Sequence, residues 1–84
     1  MEDAIRVEAP NEESAQTLAH ALAGRFPLEV ARREGRWLVI VTPDRSIDRF
    51  VVELLDEVDR WLLVADVTKT QVHLDGRTYT MSRP

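Results

Sequence analysis

The chain is 84 residues long, contains no cysteine and carries a formal net charge of −4. A chain of this length forms one domain with a thin core, and without cysteine it has no disulfide, thiolate metal site or thiol nucleophile. The acidic balance opposes binding to a polyphosphate backbone, so we expect no nucleic acid partner.

Patterns that direct a chain to or across a membrane are not found. The first residues, Met1-Glu2-Asp3, are acidic, whereas a signal peptide starts with basic residues and continues with an apolar run. No apolar stretch approaches the roughly 18–20 residues of a membrane span. Together with the absence of cysteine, this predicts a cytoplasmic protein with no membrane partner.

The first third of the chain predicts a strand followed by a helix. Apolar and polar residues alternate over residues 4–9, as in a strand that is wet on one face. Pro10 ends this run, and Asn11 is a favourable N-cap for a helix over residues 12–23. The apolar residues of this helix fall within one narrow arc: Ala15, Leu18, Ala19 and Leu22.

Two apolar runs, residues 26–31 and 36–41, predict a β-hairpin. Its register depends on whether Glu34-Gly35 forms a two-residue loop, because a three-residue loop would change the pairing. With the two-residue loop, the implied pairs are Val30–Val39 and Leu28–Val41.

This register decides which side chains of the third strand face the helices. It places Trp37 on the core face, so we expect both tryptophans, Trp37 and Trp61, to be buried. Leu38 and Ile40 then lie on the opposite face, which the helices leave open, and we expect both to be exposed to solvent.

The second half predicts a long helix and a second hairpin. Eight apolar residues from Ile47 to Leu62 form a stripe at helical spacing, and Asp44 is the expected N-cap. Asp75-Gly76 lies between alternating runs and is a strong hairpin signal, which pairs His73 with Thr78.

The order β-α-β-β-α-β-β predicts an α+β domain of two layers, with both helices on one face of an antiparallel sheet. Without its last strand it is the ferredoxin-like arrangement of strand order 4-1-3-2, and the extra C-terminal hairpin strand extends the sheet beyond the fourth strand. We expect one domain over residues 1–81 and a loose tail over residues 82–84.

This strand order resembles that of regulatory ligand-binding modules of the ACT type. The resemblance covers most of the chain at the level of fold, and it implies a regulatory module that acts as a dimer. The segment after the first strand reads Glu8-Ala9-Pro10-Asn11, whereas the ligand loop of those modules usually contains glycine.

Motifs for catalysis, cofactors or metals are not found. The three glycines are explained by a helix end and two hairpin turns, so no phosphate-binding loop is present. Asp44, Ser46 and Asp48 mimic the start of an EF-hand loop that lacks its glycine and glutamate. No serine has a histidine at a distance evident from the sequence. We therefore predict no catalytic residue, no cofactor and no metal.

RNA-recognition modules share the β-α-β-β-α-β order and are an alternative interpretation. Those modules stack bases on aromatic residues of their two central strands. Here Trp37 is the only aromatic candidate, and it is predicted to face the core. Together with the acidic charge, this argues against RNA binding.

The open sheet face is the surface left for function. Arg6, Glu8 and His73 lie on neighbouring strands and form a candidate site for an anionic or amide ligand, with ordinary cross-strand charge pairing as the alternative. The candidate interface consists of four residues on the second and third strands: Leu38, Ile40, Ala31 and Glu29.

Two hypotheses of different classes follow. The first is a non-enzymatic interaction or regulatory module that forms a homodimer, or binds another protein, through its sheet. Either the open face or the edge strand over residues 28–32 is its interface. The second is a small-molecule-binding or enzymatic domain that uses Arg6, Glu8 and His73.

Overall fold

The computed structural model describes residues 4–44, 46–74 and 76–83, and it confirms the mixed α+β class with one antiparallel sheet and two helices. The strand order is β2-β3-β1-β4-β5, so β2 and β5 are the edges of the sheet. The strands are β1 (Ile5–Ala9), β2 (Leu28–Arg33), β3 (Arg36–Val41), β4 (Lys69–Leu74) and β5 (Arg77–Ser82), and the helices are α1 (Glu12–Leu22) and α2 (Ile47–Val64).

The hydrophobic core lies between one face of the sheet and the two helices. Alternate residues of β1 point into it, as the period-two pattern predicts. Phe26 and Phe50 meet edge to face, with ring centroids 5.1 Å apart. The helices contribute the predicted apolar stripes, of which the buried core members are Ala15, Leu18 and Leu22 of α1 and Phe50, Leu54, Val58, Trp61 and Leu62 of α2. Ile47, at the first turn of α2, is exposed instead.

The two helices begin differently. Asn11 is the N-cap of α1 as predicted, and its Oδ1 accepts a hydrogen bond from the Ser14 backbone N–H at 2.8 Å. Ser14 Oγ in turn accepts from the Asn11 backbone N–H at 3.3 Å, which completes a capping box. The expectation for α2 was wrong, because its N-cap position is Ser46 and not Asp44.

The capping box gives the first testable prediction. We expect Asn11→Ala to lower the free energy of unfolding by about 1 kcal/mol, because the first turn of α1 loses a side-chain acceptor for its backbone N–H groups. Urea denaturation followed by circular dichroism measures this loss. Asn11→Asp keeps the acceptor and is the matched control. An equal loss for both variants would contradict the role of the cap.

Both predicted hairpins form in the predicted register. β2 pairs with β3 so that Val30 lies opposite Val39 and Leu28 opposite Val41. Glu34 and Gly35 both have positive φ, 54° and 78°, as a two-residue type I′ loop requires. β4 pairs with β5 so that His73 lies opposite Thr78. Asp75 lies outside the described residues.

The face assignment of β3 is confirmed, but the expected exposure of its residues was wrong. Leu38 and Ile40 face away from the helices, yet only 8% of each is exposed. Arg6 and Glu29 lie opposite Ile40 on the two neighbouring strands, so the aliphatic parts of longer side chains flank it on both sides. The pair is therefore shielded within a single chain.

Trp37 and the C-terminus also differ from expectation. Trp37 faces the core side but is only half-buried, because it lies at the hairpin end of β3; the Arg32 guanidinium stands 5.7 Å from its ring centroid. β5 continues through Ser82, and the Arg83 N–H donates to the Thr68 carbonyl at 2.9 Å, so these residues are not a loose tail.

Within the described residues, neither helix is both long and apolar enough to cross a membrane.

Candidate functional site

The register of the central strand brings the three predicted site residues together. β1 lies between β3 and β4, and Arg6 is directly opposite His73 of β4. Glu8 is two residues further along β1 on the same face, within diagonal reach of His73. Because these positions alternate with the buried residues of β1 and β4, all three side chains belong to the open face.

Glu8 is the centre of the cluster. Its Oε2 lies 2.6 Å from His73 Nε2 and 3.5 Å from Arg36 Nη1. Both the Glu8 and His73 side chains are largely shielded from solvent, which strengthens their contact relative to an exposed pair. The Glu8 carboxylate therefore contacts both the Arg36 guanidinium and the His73 imidazole on the open face.

The imidazole of His73 is held from both sides. Its second ring nitrogen, Nδ1, lies 3.0 Å from the Thr78 hydroxyl oxygen. If the neutral ring donates from Nε2 to Glu8, Nδ1 accepts from the Thr78 hydroxyl. With two partners of defined position, the ring has a fixed orientation on the sheet.

A cleft of about 290 Å³ opens beside this cluster. Three guanidinium groups and two carboxylates line it, so it is locally more positive than the chain as a whole, whose net charge is −4. Its lining residues are Arg6, Arg33 and Arg36, Glu8 and Glu34, and Leu38 and His73.

The arginines of the cleft differ in how they are held. Arg36 is paired with Glu8. Within the part of the chain that the structure describes, the Arg6 and Arg33 side chains form neither a hydrogen bond nor an ion pair. Two guanidinium groups, each with several N–H donors, are therefore available to a ligand.

Thr78, His73 and Glu8 supply a hydroxyl, an imidazole and a carboxylate, the three groups that also form hydrolase triads. A catalytic hydroxyl faces the bound substrate, next to donors for the developing oxyanion. Thr78 does not line the cleft, and Glu8, at the other end of the chain of contacts, is paired with Arg36. The Thr78 hydroxyl therefore holds His73 in position and does not face the cleft.

In the described ranges 4–44, 46–74 and 76–83, no three His, Asp or Glu side chains are grouped so that they could hold a metal ion.

The sequence indicated Arg6, Glu8 and His73 as site residues and placed Leu38 on the same face, but it did not indicate the other three residues of the cleft. Arg33, Glu34 and Arg36 reach the cleft because β3 pairs with β1 so that Glu8 lies opposite Leu38, close to the hairpin turn. The hairpin signal was visible in the sequence, but its alignment with β1 was not. Thr78 was placed on the open face by the predicted hairpin register, and its contact with His73 follows from that pairing.

A second, wider groove lies on the other side of the sheet, between α1 and the edge strand β2. Its volume is about 800 Å³, and it is open to solvent along β2. Its apolar part is formed by Leu28 and Val30 of β2, Ala19 of α1 and Ala23 at the C-cap of that helix. Leu28 and Val30 are only half-buried, so the core is incompletely covered at this edge.

No family model, curated protein or solved structure matches this chain. The geometry of the open face and of the β2 edge is therefore the basis on which its function is inferred.

Proposed function

We propose that this domain is a non-enzymatic regulatory or interaction module whose open sheet face binds a small anion carrying a carboxylate or phosphate group. The observation that carries the proposal is the pair of guanidinium groups on Arg6 and Arg33, which line a cleft beside a fixed histidine and form no hydrogen bond or ion pair with the residues that the structure describes. Such groups match the oxygen geometry of carboxylate and phosphate.

The charge of Glu8 does not oppose this assignment. Its Oε2 lies 3.5 Å from Arg36 Nη1, whose positive charge offsets that of the carboxylate, and it is also in hydrogen-bond contact with His73. A ligand would then order mainly the Arg6 and Arg33 side chains, because His73 and Arg36 are already in contact with Glu8. The cleft is at the small end of the roughly 300–1,000 Å³ range of ligand pockets, which favours a small molecule.

We also propose a ferredoxin-like topology for the domain and a cytoplasmic location for the protein. A ferredoxin-like topology is supported by β1 lying between β3 and β4, antiparallel to both, and a dimeric regulatory role of the ACT type is consistent with that order. The cysteine-free sequence favours the cytoplasm.

Titration with inorganic phosphate and with succinate, followed by two-dimensional NMR, tests anion binding. We expect saturable shifts of the backbone amides of Arg6, Glu8 and His73. Arg6→Gln should weaken binding by about tenfold or more, because a hydrogen bond to a charged group contributes about 1.5–3 kcal/mol.

Arg77→Gln is the matched control, because Arg77 is an exposed arginine of β5 outside the cleft. It should bind both anions like the wild type. Shifts that do not saturate, or an equal effect of the two substitutions, would refute an anion site in this cleft.

Self-association through the sheet is the second function that we propose. The specific observation in its favour is the unpaired edge strand β2, beside which the core is incompletely covered. Leu38 and Ile40 are too well shielded to drive association on their own. Glu29 and Ala31, the other predicted interface residues, both lie on β2.

A further inference from the structure

The backbone of β2 presents free hydrogen-bonding groups to solvent at alternate residues. The Thr42 N–H donates to the Pro27 carbonyl at 3.0 Å, which makes these two residues a hydrogen-bonded pair at the end of the β2–β3 ladder. Hydrogen-bonded and non-bonded pairs alternate in an antiparallel ladder. Leu28, Val30 and Arg32 therefore direct their N–H and C=O groups away from β3, toward the free edge.

The sequence of β2 is complementary in charge to itself. A second β2 can pair antiparallel across a two-fold axis that passes beside Ala31, with Ala31 opposite its own copy. In this register Glu29 lies opposite the partner's Arg33, and the symmetry repeats the pair. Val30 then lies opposite the partner's Arg32, and these are the residues whose backbone groups are free.

We propose that a second copy of this chain docks on β2 in this register and extends the sheet across the two-fold axis. The inference rests on the proposed self-association and specifies its surface. The small Ala31 side chain at the axis lets the strands approach, and the two Glu29–Arg33 pairs set the register.

The groove between α1 and β2 has room for the side chains that the partner strand brings. In this register the helix-facing residue that enters beside Val30 is the partner's Arg32, at the groove of about 800 Å³. The aliphatic part of the partner's Arg32 side chain then covers the half-buried Val30, in addition to the strand pairing.

The other edge strand, β5, is less suited to a second copy. Arg77 is its only charged residue, so β5 contains no acidic group to pair with that arginine in a symmetric dimer. Charge complementarity therefore distinguishes β2 from β5.

Complementary charge reversal tests the register. Glu29→Arg places like charges opposite each other in its own homodimer, and so does Arg33→Glu, so each variant alone should dimerise at least about tenfold more weakly than the wild type. When the two variants are mixed, each Glu29–Arg33 position again holds opposite charges, and the dimer should be restored. Analytical ultracentrifugation over a concentration series measures all three samples.

Cross-linking tests the same register without changing charge. The chain has no cysteine, so Ala31→Cys introduces a single thiol at the axis. Non-bonded antiparallel pairs have Cα atoms about 4.5 Å apart, within the range that a disulfide spans. We expect rapid disulfide-linked dimer under oxidising conditions. Thr80→Cys, on the other edge strand, should stay unlinked and is the control.

The outcomes separate the register from self-association itself. Weak homodimers, a restored mixed dimer and a selective Ala31→Cys cross-link support the proposal. A dimer that both charge variants retain would overturn the β2 register while self-association stands. A wild-type chain that is monomeric up to millimolar concentration would overturn both. Anion binding is tested separately through Arg6, which lines the cleft and does not lie on β2.

Discussion

Trp61→Ala should lower the free energy of unfolding by about 3–5 kcal/mol, the usual cost of truncating a buried tryptophan. Only 2% of this side chain is exposed, and it belongs to the main core cluster. Its Nε1–H also donates to the Ser14 carbonyl at 2.9 Å, which joins α2 to α1. A small domain has about 5–15 kcal/mol of stability in total, so this change removes a large part of it.

The contribution of the hydrogen bond can be separated from that of packing. Trp61→Phe fills most of the volume and removes the donor, so its cost should be clearly smaller, about 1–2 kcal/mol. Urea denaturation followed by far-ultraviolet circular dichroism measures both variants. Trp37→Ala is the control at a half-buried position. If Trp37→Ala costs as much as Trp61→Ala, the assignment of the core is wrong.

Val7→Asp should prevent the chain from folding at neutral pH. Val7 is on the central strand with 0% exposure, and it lies opposite Val39 on one side and Val72 on the other. A carboxylate at this position would lie within the hydrophobic core cluster, and an unpaired buried charge costs several kcal/mol. Loss of the cooperative unfolding transition is the expected result.

The neighbouring position supplies the control for this experiment. Arg6→Asp introduces the same residue one step along β1, on the open and hydrated face, and should cost about 1 kcal/mol or less. Circular dichroism and thermal denaturation of both variants give the comparison. Similar stabilities for the two would contradict the assignment of faces on which the cleft and the interface both depend.

The two functional proposals use different sides of the same hairpin. The cleft depends on Arg6 and on the turn between β2 and β3, whereas the interface depends on the outer edge of β2. Arg33 belongs to both, because it lines the cleft and lies opposite Glu29 of the partner in the proposed register. For this reason the anion test uses Arg6, and the cross-linking test uses Ala31.

Local patterns in the sequence were sufficient for the elements and for both hairpin registers. Alternation in β1 identified which residues face the core, and the spacing of apolar residues identified the buried side of α1. The Glu34-Gly35 loop determined the pairing of β2 with β3, because a two-residue loop permits only one alignment of its flanking strands. These features depend on residues that are close together in the chain.

The alignment of distant strands was decided only by the tertiary structure. No turn links β1 to β3 or to β4, so their registers depend on how the helices pack over the sheet, and a single apolar pattern fits several alignments. Those alignments bring Arg36 to Glu8, and they place Arg6 opposite Ile40. The cleft and the shielding of Leu38 and Ile40 therefore arise from long-range packing. Which side chains of a strand face the helices follows instead from the alternation of apolar and polar residues along it.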